Sequence, residues 1–280
     1  MMENDKKGFH VRTDLALEEH ERFQDDQVEI PGVELHQWDY KKPGIHLSQV
    51  IIKTEEGSIA MGKPIGRYLT LEVPGLAERD IDFHKEVTGA LAEHLLELLK
   101  LHQVEKESIL VVGLGNADAT PDALGPKVLE HLQVTRHLCL EYGKTFCEKH
   151  GYPILSALTP GVMGQTGMES AEIIKGVVKE TRPRAVIVVD ALAARSVNRL
   201  CVTLQLADTG IHPGSGVGNH RNALTEEVLG IPVLALGVPT VMELSEENSM
   251  PMFVTPHDID ERVEMLSYTI SEAIHEALFR

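Results

Sequence analysis

The chain has 280 residues, 42% of them hydrophobic, enough to bury a sizeable core within one large domain. Its 43 acidic against 26 basic residues give a formal charge of -17, which excludes a direct nucleic-acid or anionic-membrane partner, because both need a positive face. No apolar run approaches the roughly 18 residues that cross a bilayer, and no signal-peptide core follows the start, so a cytoplasmic protein is expected.

Residues 1 to about 45 are highly charged, with a short amphipathic stretch from Leu15 to Gln27 and a turn at Pro31-Gly32, and they read as an extension outside the core. β-like runs follow at Gln49–Lys53 and Arg67–Val73. Val87, Leu91, Leu95, Leu98 and Leu101 then recur at helical spacing, which predicts a helix from His84 to His102. Ser108–Val112 is a continuous apolar strand of the kind covered on both faces. Thr120 as N-cap and Pro121 at the first helical position predict a helix running on through Val128 and Leu132, with Asp122 in its first turn. Further on, Met168–Lys179 reads as a helix, Ala185–Val189 as a buried strand and Leu200–Leu206 as a strand. Thr225–Leu229 reads as a short helix, Ile231–Leu236 as a buried strand and His257–Leu278 as a closing helix. The alternation predicts a single α/β domain with a mainly parallel sheet and helices on both faces.

In such a sheet the carboxyl ends of neighbouring strands form the ligand crevice, and Asp122 and Asp190 each follow a strand-like run. An acidic residue in a first helical turn needs no catalytic task, since the helix dipole favours it by about 0.3–1 kcal/mol. Asp190, behind four apolar residues, is harder to explain without a partner or a function. Gly113-Leu114-Gly115 lacks the third glycine of a dinucleotide fingerprint, because Asp118 stands there; the glycines suit a tight turn that aims the next loop across the sheet edge.

Other chemistries have weaker support. Cys139, Cys147 and Cys201 are odd in number and lack CxxC spacing, which fits neither a disulfide framework nor a zinc site and implies a reducing compartment. No GxSxG occurs. His212 and His220 flank a Gly-rich stretch and are conceivable metal ligands with Asp122 or Asp190, but isolated loop histidines are more often surface groups; no metal and no cofactor is expected.

Several stretches together carry a resemblance: Val11 to Glu18, Val111 to Pro126, Ser156 to Gly164, Asp190 to Arg195, Asp208 to Asn219, Gly230 to Thr240, and Val254-Thr255-Pro256. In this order, over most of the chain, they resemble the germination protease, or spore protease, family of spore-forming bacteria. The resemblance implies an atypical aspartic endopeptidase that degrades small acid-soluble spore proteins during germination, in the forespore and spore core. It implies a homotetramer, a fold similar to the hydrogenase maturation proteases, and a zymogen that removes its own N-terminal segment. The family's catalytic aspartates fall on Asp122 and Asp190. Thr13-Asp14-Leu15-Ala16 looks like the substrate cleavage sequence, which divides the chain into a propeptide, 1–14, and a catalytic domain, 15–280, with the cut between Asp14 and Leu15. Asn116, Gly161, His212, Gly214 and Gly216 are expected to line the cleft.

Two positions depart from the family pattern: Ala117 follows Gly-Asn, and Val241 and Val254 stand almost adjacent where the family carries a longer segment. Hydrolysis by two carboxyls needs one ionised and one protonated, with Asp122 the expected base and Asp190 the expected acid, roles a coupled pair can exchange. The competing readings are a maturation-type protease that reads a bound metal and an inactive peptide-binding homologue.

Overall fold

The computed structural model describes residues 13–25, 28–41, 44–77, 80–104, 108–211, 223–244 and 252–279. In chain order these form α1 (Ala16–Asp25), β1 (Val33–Asp39), β2 (His46–Ile52), α2 (Glu55–Met61), β3 (Gly66–Glu72), α3 (Ile81–Leu101) and β4 (Ser108–Gly113). The middle of the chain gives α4 (Leu124–Glu130), α5 (Arg136–Tyr142), α6 (Lys144–His150), β5 (Ile154–Leu158), α7 (Met163–Thr166) and α8 (Ser170–Thr181). The remainder gives β6 (Ala185–Ala193), β7 (Thr203–Ala207), α9 (Glu226–Leu229), β8 (Val233–Leu244), β9 (Met252–Val254) and α10 (Ile259–Leu278).

The strands form one sheet in the order β1-β2-β3-β7-β8-β6-β4-β5, with β9 paired to β8. The α/β fold is as the alternating pattern predicts, but the sheet is mixed. β8, β6, β4 and β5 run parallel, whereas β1, β2, β3, β7 and β8 pair antiparallel. The parallel half is the part whose strands read as continuous apolar runs, because helices cover both of its faces. On one face Val87, Leu91 and Leu95 of α3, Leu124 and Val128 of α4, and Val263 and Ile270 of α10 pack on Ile109, Val111, Ile187 and Val189. On the other, Ala171 and Ile174 of α8 meet Leu110, Val112, Val186 and Val188.

From Thr13 onward, the described part of the charged N-terminal region is not an extension. Leu15, Ala16 and Leu17 are fully buried, and β1 is a full sheet member paired with β2 along seven residues. Burying a leucine side chain contributes about 1.5–3 kcal/mol, so Leu15 alone is a substantial anchor. Two of the charges that suggested solvent, Glu18 and Glu21, are satisfied internally. Glu18, 1% exposed, accepts the N–H groups of Arg195 (2.6 Å) and Ser196 (3.1 Å) and faces Arg199 at 3.4 Å. Arg199 also grips Glu21 with two hydrogen bonds, 2.6 and 2.8 Å, and reaches Glu72 at 3.1 Å. Burial works against the Arg199 charge, but these carboxylates outweigh it and raise its pKa.

Three further expectations change. Cys139 and Cys147 are disulfide-bonded, so the cysteine pattern does not support a reducing compartment; α5 and α6 turn back on each other at Gly143 (φ +86), which brings the two Cα atoms within 5.6 Å. Thr120 is not a helix cap: Thr120–Asp122 is a 3₁₀ turn ahead of α4, and the Thr120 hydroxyl donates to Asp260 at the start of α10 (2.8 Å). β8 runs eight residues beyond Leu236, because Met242, Glu243 and Leu244 pair with Val254, Phe253 and Met252 of β9. The described residues on either side of the connection after Val241 are therefore paired antiparallel.

Candidate active site

β4 is the strand about which the connections reverse: β5 lies on one side of it and β6 on the other, the arrangement that opens a crevice beyond the strand's carboxyl end. The β4–β6 ladder stops at Gly113↔Val189, and the N–H of Leu114 donates to Val189 O at 2.9 Å. Asp190 is the next residue, the first of β6 beyond that ladder, opposite Gly237 of β8. It does not end its strand, which continues to Ala193. Asp190 is 6% exposed, and its Oδ1 accepts from the N–H of Ala191 at 3.0 Å.

Asp122 comes to the same edge by another route. The chain leaves β4 through Gly115, whose φ of +113 only glycine adopts readily, and folds back so that the Asn116 N–H donates to Asp122 Oδ2 at 2.9 Å. Thr240 of β8 fixes the turn from the other side, its hydroxyl donating to Pro121 O at 2.6 Å. Asn116 continues the wall: its Oδ1 accepts from Gln165 Nε2 at 3.2 Å, and Gln165 also reaches Asp118 at 3.3 Å. Gly161 (φ +71) stands beside Gln165 and α7. Asn116 thus contacts Asp122 and Gln165, and Gly161 stands beside Gln165, while His212, Gly214 and Gly216 lie outside the described residues.

Over β6, β7 and β8, beside the end of α2, lies a cavity of about 390 Å³ with Asp190, Gly237, Gln205 and Leu192 among the residues lining it. Asp14 lines it too, while Asp122 does not. Asp14 is held at this cavity by several hydrogen bonds. The N–H of Asp14 donates to Ala193 O and the N–H of Ala193 donates to Asp14 Oδ2, both at 2.9 Å. The Asp14 carbonyl accepts from Lys63 Nζ at 2.9 Å and Gln205 Nε2 at 3.2 Å, and Gln205 Oε1 accepts from the N–H of Ala16 at 2.8 Å. The Thr13 hydroxyl accepts from the N–H of Leu15 at 3.0 Å, ahead of α1. Loss of solvent lowers the Lys63 pKa, while Asp14, Glu19 and Glu18 act to raise it. Burial likewise raises that of Tyr68, whose hydroxyl lies 3.2 Å from Thr209.

The sequence model of the germination protease family matches residues 11–250. The chain belongs to the germination protease family. The germination protease of Caldanaerobacter subterraneus subsp. tengcongensis is 49% identical over 238 residues, 83% of this chain and 69% of its own. That of Bacillus velezensis is 50% identical over 246 residues, 86% of this chain and 66% of its own, and that of Geobacillus sp. strain WCH70 is 46% identical over 248 residues, with shares of 85% and 65%. The chain spans about two thirds of the length of these curated relatives.

Within this germination protease fold, Lys63, Gln205 and Glu18 were missed by motif reasoning. Lys63 follows a helix in a segment with no recognisable pattern, and Gln205 sits in an otherwise apolar run. That run carried the one available signal, since a polar residue in a buried strand calls for a partner. Among the described residues no group of three or more His, Cys, Asp or Glu is placed to hold a metal ion, and no helix is long and apolar enough to cross a membrane.

Proposed function

We propose that this chain is an aspartic-type endopeptidase that begins the degradation of small acid-soluble spore proteins during germination, acting as a homotetramer in the forespore and spore core. It is made as a zymogen that cuts itself between Asp14 and Leu15. Membership of the germination protease family supports the peptidase class. The observation that supports the self-cleavage is the placement of Asp14 at the cavity that Asp190 lines, held there by hydrogen bonds to Ala193, Lys63 and Gln205.

In the proposed reaction one carboxylate takes a proton from water as the water oxygen adds to the peptide carbon, and the other carboxyl, protonated, delivers a proton to the leaving amine. Asp122, whose Oδ2 accepts the Asn116 N–H, suits the ionised role, and the enclosed Asp190 suits the protonated one. Asp190 lines the cavity that holds Asp14, and Asp122 is carried on the turn that follows β4.

The test is incubation of the purified full chain with N-terminal sequencing of any product, beside Asp122→Asn and Asp190→Asn. A cut before Leu15 that both folded variants lack supports the reading, as does hydrolysis of a spore-protein substrate that survives chelators. The same cut in either variant removes the aspartic assignment, and chelator-sensitive activity restored by nickel or zinc replaces it with a metal-dependent one.

A further inference from the structure

We propose that Lys63 and Gln205 are catalytic residues that together form the oxyanion site of this peptidase, receiving the carbonyl oxygen of the bond to be cut. The inference rests on the proposed self-cleavage between Asp14 and Leu15. The carbonyl of that bond belongs to Asp14, and its oxygen accepts from both Lys63 Nζ (2.9 Å) and Gln205 Nε2 (3.2 Å). Both side chains line the same cavity as Asp190. Two donors converging on one carbonyl oxygen beside a carboxyl group are what stabilisation of a tetrahedral intermediate requires.

The two residues are built for different parts of the task. Gln205, 8% exposed, is fixed on β7, and it holds the peptide on both sides of the bond: Nε2 on the Asp14 carbonyl and Oε1 on the N–H of Ala16, 2.8 Å away. It therefore sets which carbonyl faces Lys63. Lys63 supplies charge. It follows α2 directly after Gly62, which ends that helix in the left-handed region (φ 61), and it lines the cavity with Asp190. Burial lowers the pKa of this amine, and the carboxylates of Asp14, Glu19 and Glu18 act in the opposite direction.

When water adds to the Asp14 carbonyl carbon, the C=O π pair moves onto the oxygen and the water proton passes to a carboxylate. The oxygen then carries a full negative charge, and both N–H···O bonds become charge-assisted. Collapse re-forms the C=O bond and breaks the bond to the Leu15 nitrogen, which leaves with a proton from the second carboxyl. The balance is OH gained by Asp14 and H gained by Leu15. Once the segment has left, the same two donors face the carbonyl of a substrate bound in its place.

The test uses the full chain with Lys63→Met, Lys63→Arg, Gln205→Met and Asp190→Asn, following the cut before Leu15 over time and the kcat and KM of the matured enzymes on a peptide containing Thr-Asp-Leu-Ala. Thermal unfolding verifies the fold of each. Removal of one donor is expected to lower the cleavage rate and kcat by about 100- to 1,000-fold with KM changed far less, and Lys63→Arg is expected to recover part of the loss. Folded Lys63→Met and Gln205→Met proteins that cut at the wild-type rate overturn the proposal while leaving the peptidase intact. If Lys63→Met does not fold, Gln205→Met decides by the same criterion. A wild-type chain that makes no cut and hydrolyses no peptide, like Asp190→Asn, brings down the underlying function and the oxyanion site with it.

Discussion

Asp14 and Ala193 bond to each other twice, backbone N–H to carbonyl in one direction and backbone N–H to carboxylate in the other, both at 2.9 Å. The first bond is open to any residue at position 14, but the second requires a side-chain acceptor. Asp14→Ala leaves the N–H of the buried Ala193 without that oxygen, at a cost of about 1–3 kcal/mol. Chemical denaturation is expected to show that loss, together with faster proteolysis of residues 13–16 and slower self-cleavage. Asp14→Asn keeps an acceptor and should lose much less. Equal losses in the two variants would mean that the carboxylate charge, and not the hydrogen bond, fixes the segment.

Gly115 turns the chain back over the end of β4, and a Cβ at that position would collide with the Asp122 carbonyl oxygen and crowd its carboxylate. Its φ of +113 is also strained for any side chain. Gly115→Ala is therefore expected to cost about 1–3 kcal/mol and to displace the turn that bears Asp122. The functional consequence separates the two effects: kcat should fall far more than the stability loss would imply, with KM little changed. A Gly115→Ala enzyme of wild-type kcat would show that Asp122 need not be held in its present position.

Arg199 joins three acidic side chains from two separate elements, Glu18 and Glu21 on α1 and Glu72 on β3. Arg199→Met leaves the fully buried Glu18 carboxylate without its cation, and breaking a buried pair from one side costs roughly 3–5 kcal/mol. Thermal unfolding should drop accordingly, and limited proteolysis should open α1 first. Retention of the wild-type midpoint would mean that the N–H groups of Arg195 and Ser196 satisfy Glu18 by themselves.

How far the sequence discloses this molecule follows from which forces are local. β4, the buried part of β6 and α10 were legible because each side chain's burial repeats with the period of its own element: Ser108–Val112 and Ala185–Val189 are covered on both faces, and α10 has a regular apolar stripe. Asp190 stood out for the same reason, as a carboxylate at the end of such a run. The N-terminal region was misread because Glu18, Glu19, Glu21 and Arg22 look solvated, whereas the cation that buries Glu18 lies at position 199, far along the chain. β8 was cut short because its second half pairs with β9 across a connection whose length gives no periodic signal. Lys63 carries no motif, and only the tertiary path of residues 13–16 brings its amine to the Asp14 carbonyl.

Cys201 separates a carboxylate mechanism from a thiol one and supplies a pH prediction. It is 1% exposed in the core, and burial pushes its thiol from 9.0 up to about 12, with Arg262 pulling down and Asp258 pushing up. Between these values the unfolded chain releases a proton that the folded chain keeps. The folded state then binds more protons than the unfolded one, so this contribution is fully present below about pH 9 and declines as pH rises, by about 1.4 kcal/mol per unit at full slope. Denaturation series from pH 8 to 11 should therefore show a steeper alkaline loss of stability in the wild type than in Cys201→Ala, whatever the offset between the two proteins. At neutral pH the folded protein should resist iodoacetamide at Cys201 and keep its peptidase activity after treatment. Parallel alkaline slopes would show that Cys201 ionises alike in both states, and labelling of Cys201 with loss of activity at neutral pH would return the thiol to the list of possible nucleophiles.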